Sequence, residues 1–179
     1  PIASEAPTPD PGNLPHALTR FYGREREIDA LITLLRWEGA EEFSTVRTRL
    51  VTLTGPGGVG KTRLAQEVAW QVRKMWGGAV WFVPLADLDE PARIPERILQ
   101  TLRIPRSEHG DALDQAVSVL SIQPCLLILD NLEQLLPDGA APVRQLLERV
   151  GGLTIFVTSR RRLGVTGEQL FPVPPLPIP

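Results

Sequence analysis

Residues 50–65 read Leu50-Val-Thr-Leu-Thr54, Gly55-Pro-Gly-Gly-Val-Gly-Lys61-Thr62, Arg63-Leu-Ala65. The short apolar run at the start is a buried strand in the making, and the glycines stop it. The residues that follow carry a helical stripe of Leu64, Ala65, Val68, Ala69 and Val72. Between strand and helix the chain matches the phosphate-loop pattern GxxxxGK[ST] at every position. A chain that wraps a phosphate closely needs residues without a Cβ. Its successive N–H groups then form an anion nest at the helix N-terminus. Lys61, expected to stand exposed in the empty loop, adds a positive charge at the β- and γ-phosphates, and Thr62 offers a hydroxyl to Mg²⁺. The candidate contacts are therefore Gly55, Pro56, Gly57, Gly58, Val59, Gly60, Lys61 and Thr62, with Arg63 beside them. The competing description is a glycine-rich strand–helix turn.

Outward from this point, strands and helices alternate. Helices are expected over residues 24–37 (Ile28, Leu31, Ile32 and Leu35 in one stripe), 61–75, 91–102, 111–121 and 139–150. Gly77-Gly78 stops the second, and a proline sits in the first turn of the third. Strands are expected over residues 79–84, 125–130 and 153–158, with a short one over 169–173. They are near-continuous apolar runs, the pattern of a parallel sheet covered on both faces. The fold class is α/β, a P-loop NTPase with three α/β/α layers.

Composition narrows the classes. The 179 residues carry a net charge of −2, which argues against a nucleic-acid footprint over the whole surface. No apolar run approaches the ~20 residues of a membrane span, and no secretory signal pattern opens the chain. Cys125 is the single cysteine, so an intrachain disulfide is impossible, and a cytoplasmic setting fits. Cys125 is expected as a small buried hydrophobe, His16 and His109 as surface residues, and Trp37, Trp70, Trp76 and Trp81 as packing residues. Of the 18 prolines, five fall in residues 1–15 and five in 171–179. Both ends read as extended connecting segments of a longer protein.

Two further signals carry chemistry. Leu126-Leu-Ile-Leu-Asp130 ends an apolar strand on a carboxylate, which is costly there unless paired or bound to a cation. Asp130 is either the acid that holds Mg²⁺ or the cap of a following helix. Glu133 is the first candidate for a water-positioning base; otherwise it is a solvated carboxylate in a first helical turn. Thr158-Ser159-Arg160 ends the fourth strand, where side chains point into the ligand crevice of an open parallel sheet. Arg160 can meet a γ-phosphate there; otherwise Arg160-Arg161-Arg162 is a basic helix start or a nucleic-acid contact. Arg161 and Arg162 are expected to be solvated.

The ordered segments Leu18-Thr-Arg-Phe-Tyr-Gly-Arg24-Glu, VTLTGPGGVGKTRLA, VWFVPLADL, LLILDNLEQLL and IFVTSRRRLGVTGEQ together resemble a family. They are similar to the STAND P-loop ATPases, on the bacterial side of the NB-ARC and apoptotic-ATPase group. The likeness is strongest to the ATPase modules of large LuxR-type and AfsR-type regulators, and it covers about residues 14–176. It implies a parallel sheet of order 5-1-4-3-2, with strands numbered along the chain. Phe21, Tyr22 and Arg24 match the FxGRE-like segment that helps enclose the adenine, with tyrosine where an aliphatic residue is more usual. Lys61 and Thr62 match the phosphate and Mg²⁺ residues, Asp130 the Walker-B acid and Arg160 the sensor arginine. Asn131 stands where many relatives carry a second acid, which implies slow hydrolysis.

By this resemblance, residues 18–173 are a nucleotide-binding domain. Residues 1–17 are a leader, and 174–179 begin a linker to a helical and winged-helix region. The ligands implied are ATP or ADP with Mg²⁺. The partner is a second copy of the ATP-bound parent, with no nucleic acid or membrane contact expected of this domain. Two other functions share the motif: a P-loop kinase or stand-alone hydrolase, and a degenerate P-loop fold serving only as an interaction module.

Overall fold

Every expected strand joins one sheet in the computed structural model, which describes residues 12–16, 21–36 and 47–175. Leu18, Thr19, Arg20, Trp37, residues 1–11 and residues 176–179 lie outside the described residues. The strands are β1 (Leu50–Thr54), β2 (Val80–Pro84), β3 (Cys125–Asp130), β4 (Leu153–Ser159) and β5 (Glu168–Pro172). The helices are α1 (Glu25–Leu35), α2 (Lys61–Val72), α3 (Ile94–Thr101), α4 (Ala112–Leu120) and α5 (Ala140–Arg149). Sheet order is β2-β3-β4-β1-β5 with all pairs parallel. This is the 5-1-4-3-2 order implied by the family resemblance.

Right-handed crossovers place the helices. The step from β1 to β2 crosses the sheet in one direction, and the steps from β2 to β3 to β4 return in the other. α2 therefore covers one face, with α1 packed on it, while α3, α4 and α5 cover the opposite face. Every residue of β3 and β4 is buried, as their unbroken apolar runs require. At each edge, β2 and β5 are only partly covered. Residues 12–16 run beside β2, where the Asn13 side chain donates to the Phe82 carbonyl (3.0 Å) and accepts from its N–H (2.6 Å). An edge strand with free backbone groups invites pairing with other chains, and this asparagine closes part of it.

Element ends shift where local geometry overrides the stripe. The helix expected to Met75 leaves α-geometry after Val72 and tightens into a 3-10 turn, Arg73–Trp76, before Gly77 closes it in the left-handed conformation. Pro91–Arg93 is likewise a 3-10 turn leading into α3. Leu132–Leu135 forms a separate 3-10 turn with Glu133 in its first turn; Asn131 opens it in the left-handed region (φ 62°). Trp76 is buried, Trp81 packs against the core, and Trp70 lies half-buried against His16 with its ring N–H on the Pro15 carbonyl. Cys125 is buried, and desolvation pushes its thiol up to about 11.

Candidate functional site

Strand register brings the chemistry together. Thr54 lies opposite Ser159, and Leu129 opposite Val157, so β1, β3 and β4 end side by side. From β1 the chain turns through Gly55 and enters α2 at Gly60, whose φ of 87° suits a residue without a side chain. Lys61 is the first residue of α2 and Thr62 the second. Thr62 Oγ1 donates to Asp130 Oδ1 at 2.7 Å across the gap between β1 and β3.

Asp130 is 5% exposed and has three donors. Thr62 and Thr158 reach Oδ1 at 2.7 and 2.6 Å, and the Asn131 side chain reaches Oδ2 at 3.3 Å. The carboxylate caps no helix: the following turn begins at Asn131 without a side-chain cap. The cap alternative is thereby removed, and the carboxylate belongs to the loop end of the sheet. Thr158 was passed over in the sequence. It is fully buried, donates to Asp130 and accepts from the Asn131 N–H (2.9 Å), so it ties β4 to β3 at the site. A hydroxyl at the end of an apolar strand, next to β3 by the 5-1-4-3-2 order, was the available signal.

Lys61 departs from its expected exposure. Only 7% of it is accessible, and Nζ donates to the Gly55 and Pro56 carbonyls at 2.8 Å each. An ammonium on a flexible stem folds back onto the nearest carbonyl oxygens of its own loop. Burial lowers its pKa; Glu133 and Asp130 oppose the shift, and Arg160 adds to it. Those four charges thus form one electrostatic group around the loop.

Glu133 and Arg160 face each other on the outer side. Arg160 Nε lies 3.4 Å from Glu133 Oε1, with the arginine side chain 66% exposed and the glutamate 19%. A Cβ placed on Gly57 would come within 3.3 Å of Arg160 Nη2, so this guanidinium hangs directly over the loop. Glu133 Oε2 is buried and has no hydrogen-bond partner among the described residues. A buried carboxylate oxygen left unpaired is costly and marks a place where another donor or cation belongs. Arg161 is exposed, as expected, and also donates to the Leu136 carbonyl at 2.7 Å, which holds the turn that carries Glu133. Arg162 is exposed.

The FxGRE-like segment divides. Tyr22 is 67% exposed, and Phe21 packs against the core edge with the Arg63 guanidinium 5.5 Å from its ring centre. Arg24 turns inward. It is 2% exposed, and its Nη2 donates to the Val59 and Pro174 carbonyls at 2.8 and 2.9 Å. Glu27 receives its Nη1 at 3.3 Å.

Residues 20–157 match the family model described as an AAA ATPase domain. An uncharacterised protein of Mycobacterium tuberculosis is 35% identical over 159 residues, covering 89% of this chain and 38% of that protein. The regulatory protein AfsR of Streptomyces coelicolor is 32% identical over 161 residues, covering 86% of this chain and 16% of AfsR. The chain thus spans well under half the length of these relatives. Among solved structures, Cdc6p of Pyrobaculum aerophilum superposes with a TM-score of 0.62 at 20% identity, over 93% of this chain and 48% of that one. A STAND protein with a tetratricopeptide repeat sensor from Pyrococcus horikoshii gives 0.50 at 19% identity, over 89% and 24%. At these identities the structural matches speak to fold.

Proposed function

The chain belongs to the AAA ATPase domain family, and on that premise we propose that it is an ATP- and ADP-binding switch domain of a bacterial signalling or transcriptional regulator. The observation that carries this is the pairing of Thr62 Oγ1 with Asp130 Oδ1 at 2.7 Å, directly below a loop whose lysine is already folded over it. A chance glycine-rich turn has no reason to bring a hydroxyl and a buried carboxylate from elements 68 residues apart into contact.

The donor set fits Mg²⁺. Thr62 and Asp130 present adjacent hard oxygens. That suits a small cation held by one or two protein oxygens, with phosphate and water completing the shell. When bound, the ion draws charge from the β- and γ-phosphate oxygens. Loop amides, Lys61 and Arg160 orient the phosphates, and Glu133 positions a water. Hydrolysis is slow because Glu133 is engaged by Arg160 and Asn131 offers no second acid. The bound nucleotide then sets whether the full-length parent self-associates, in a cytoplasmic setting that suits its single buried thiol. Residues 18–173 are the nucleotide-binding unit, with connecting segments on either side. Among the described residues no helix is long and apolar enough to cross a membrane.

Thermal unfolding with ADP or ATP and Mg²⁺ tests the proposal. At ligand 100-fold above Kd, linkage gives about 2.7 kcal/mol. At roughly 2–4 °C per kcal/mol for this size, Tm rises by about 5–10 °C. Lys61→Ala removes most of that ligand-dependent rise, whatever it does to the ligand-free Tm. Absence of any rise with millimolar nucleotide overturns the proposal.

A further inference from the structure

We infer that Arg24 is a positioning residue that couples the phosphate loop to the point where the chain leaves the domain. The coupling rests on the nucleotide reading above, and Arg24 is assigned to it by contact.

One nitrogen of its guanidinium, Nη2, donates to two carbonyls that are remote in sequence: Val59, 35 residues away in the phosphate loop, and Pro174, 150 residues away just after β5. The group is almost fully buried, so water does not compete for it. The Val59–Gly60 peptide is trans; among the described residues only Leu136-Pro137 is cis. In a planar trans peptide the C=O and N–H point in opposite directions. Arg24, by holding the Val59 oxygen, therefore aims the Gly60 N–H away from itself and into the anion nest.

The exit segment touches the loop a second time. The Val173 N–H donates to the Thr54 carbonyl at 2.7 Å, and a Cβ built on Gly55 would lie 2.7 Å from the Val173 oxygen. Gly55 has a φ of 151°, and only a residue without a side chain lets the exit lie so close. The first glycine of the loop, its fifth residue and the exit are thus packed as one unit, with Arg24 as the buried link. Anything that orders the Val59–Gly60 peptide from the nest side tightens the Arg24 contact and, through it, Pro174.

Amide hydrogen exchange followed by NMR, with and without ADP and Mg²⁺, tests this. Residues 174 and 175 are prolines and carry no N–H, so Val173 is the amide reporter nearest to Pro174 on the exit. In the wild-type chain, bound ADP should slow exchange at Gly58, Gly60 and Lys61 and, in parallel, slow Val173 by roughly 10- to 100-fold. In Arg24→Gln the loop amides should still be protected at saturating ADP, while the slowing at Val173 shrinks to below about twofold, the loss expected on deleting a hydrogen bond from a charged donor. Should Arg24→Gln fail to fold, Arg24→Lys keeps the charge and stem but ends one bond short, and should show the same loss in part. Wild-type protection of the loop with an indifferent Val173 overturns the coupling, whatever the variants do. Equal slowing of Val173 in wild type and variant also overturns it and leaves Arg24 as a fold anchor. If no loop amide is protected in the wild type, the nucleotide reading itself fails and takes the coupling with it.

Discussion

Two arginines meet the phosphate loop at different residues, and they are held in contrasting ways. Arg24 lies beneath Val59, 2% exposed, with two backbone carbonyls and a carboxylate as partners. Arg160 hangs over Gly57, 66% exposed on its side chain, with one carboxylate contact at 3.4 Å. On the inner side, the buried Arg24 is bonded to the loop, to the segment after β5 and to Glu27. On the outer side, Arg160 keeps donors to offer and Glu133 keeps an oxygen with no partner among the described residues. Hydrogen-bonding capacity left unused beside a phosphate loop is what a changing ligand can read. Capacity already used holds the loop in shape.

The sharpest way to break this contrast is to delete the inner arginine. Arg24→Ala empties the buried guanidinium's place and removes its hydrogen bonds to the Val59 and Pro174 carbonyls, at about 1–3 kcal/mol each for a charged donor. Total stability should fall by about 2–6 kcal/mol, which chemical denaturation measures. A loss below about 0.5 kcal/mol would mean that water replaces the guanidinium and the inner side is not sealed.

The outer arginine should behave in the opposite way. Arg160→Ala should change stability by about 0.5 kcal/mol or less, as for an exposed side chain. Its effect belongs in ligand choice. If Arg160 meets the γ-phosphate, preference for a non-hydrolysable ATP analogue over ADP should drop by roughly 10- to 100-fold, the worth of one charge-assisted hydrogen bond. Titration calorimetry with both nucleotides decides it. Equal losses for the two would make Arg160 a general electrostatic contributor.

A third arginine, on α3, supplies a control. Arg97 grips Asp87 with both amino nitrogens (2.8 and 2.9 Å) on an exposed loop, and this holds the Asp87 carboxyl down at about 2. The folded-state value lies below the ordinary ~3.9 of an unfolded aspartate. The pair therefore stabilises the fold at pH above about 4, and its contribution fades as pH falls toward 2. The small Tm difference between wild type and Asp87→Asn should close over that window and should not depend on nucleotide. A difference that persists at pH 2 would show that Asp87 acts through something other than its charge.

Much of this architecture was legible along the chain because its causes are local. An apolar run followed by glycines, a helical stripe and a lysine–threonine pair specifies strand, loop and helix within residues 50–72. The unbroken apolar character of residues 125–130 and 153–158 already required a sheet covered on both faces. Asp130 was legible for a related reason, since a carboxylate at the end of such a strand needs a partner. The 3-10 turns were less so, because a helical stripe does not distinguish i+3 from i+4 bonding over a single turn.

Tertiary structure alone decided where the long polar side chains go. Arg24 sits in a motif that by resemblance encloses a base, yet its partners are 35 and 150 residues away, and no pattern around residue 24 encodes them. Lys61 folds onto its own loop, Arg161 grips the turn before the cis Leu136-Pro137 bond, and Thr158 becomes a bridge only because β4 lies beside β3. An apolar residue has one rule, to leave water, and its spacing records where it will go. A buried guanidinium or hydroxyl must find particular oxygens at hydrogen-bond distance. Those oxygens belong to whichever backbone the completed fold brings near.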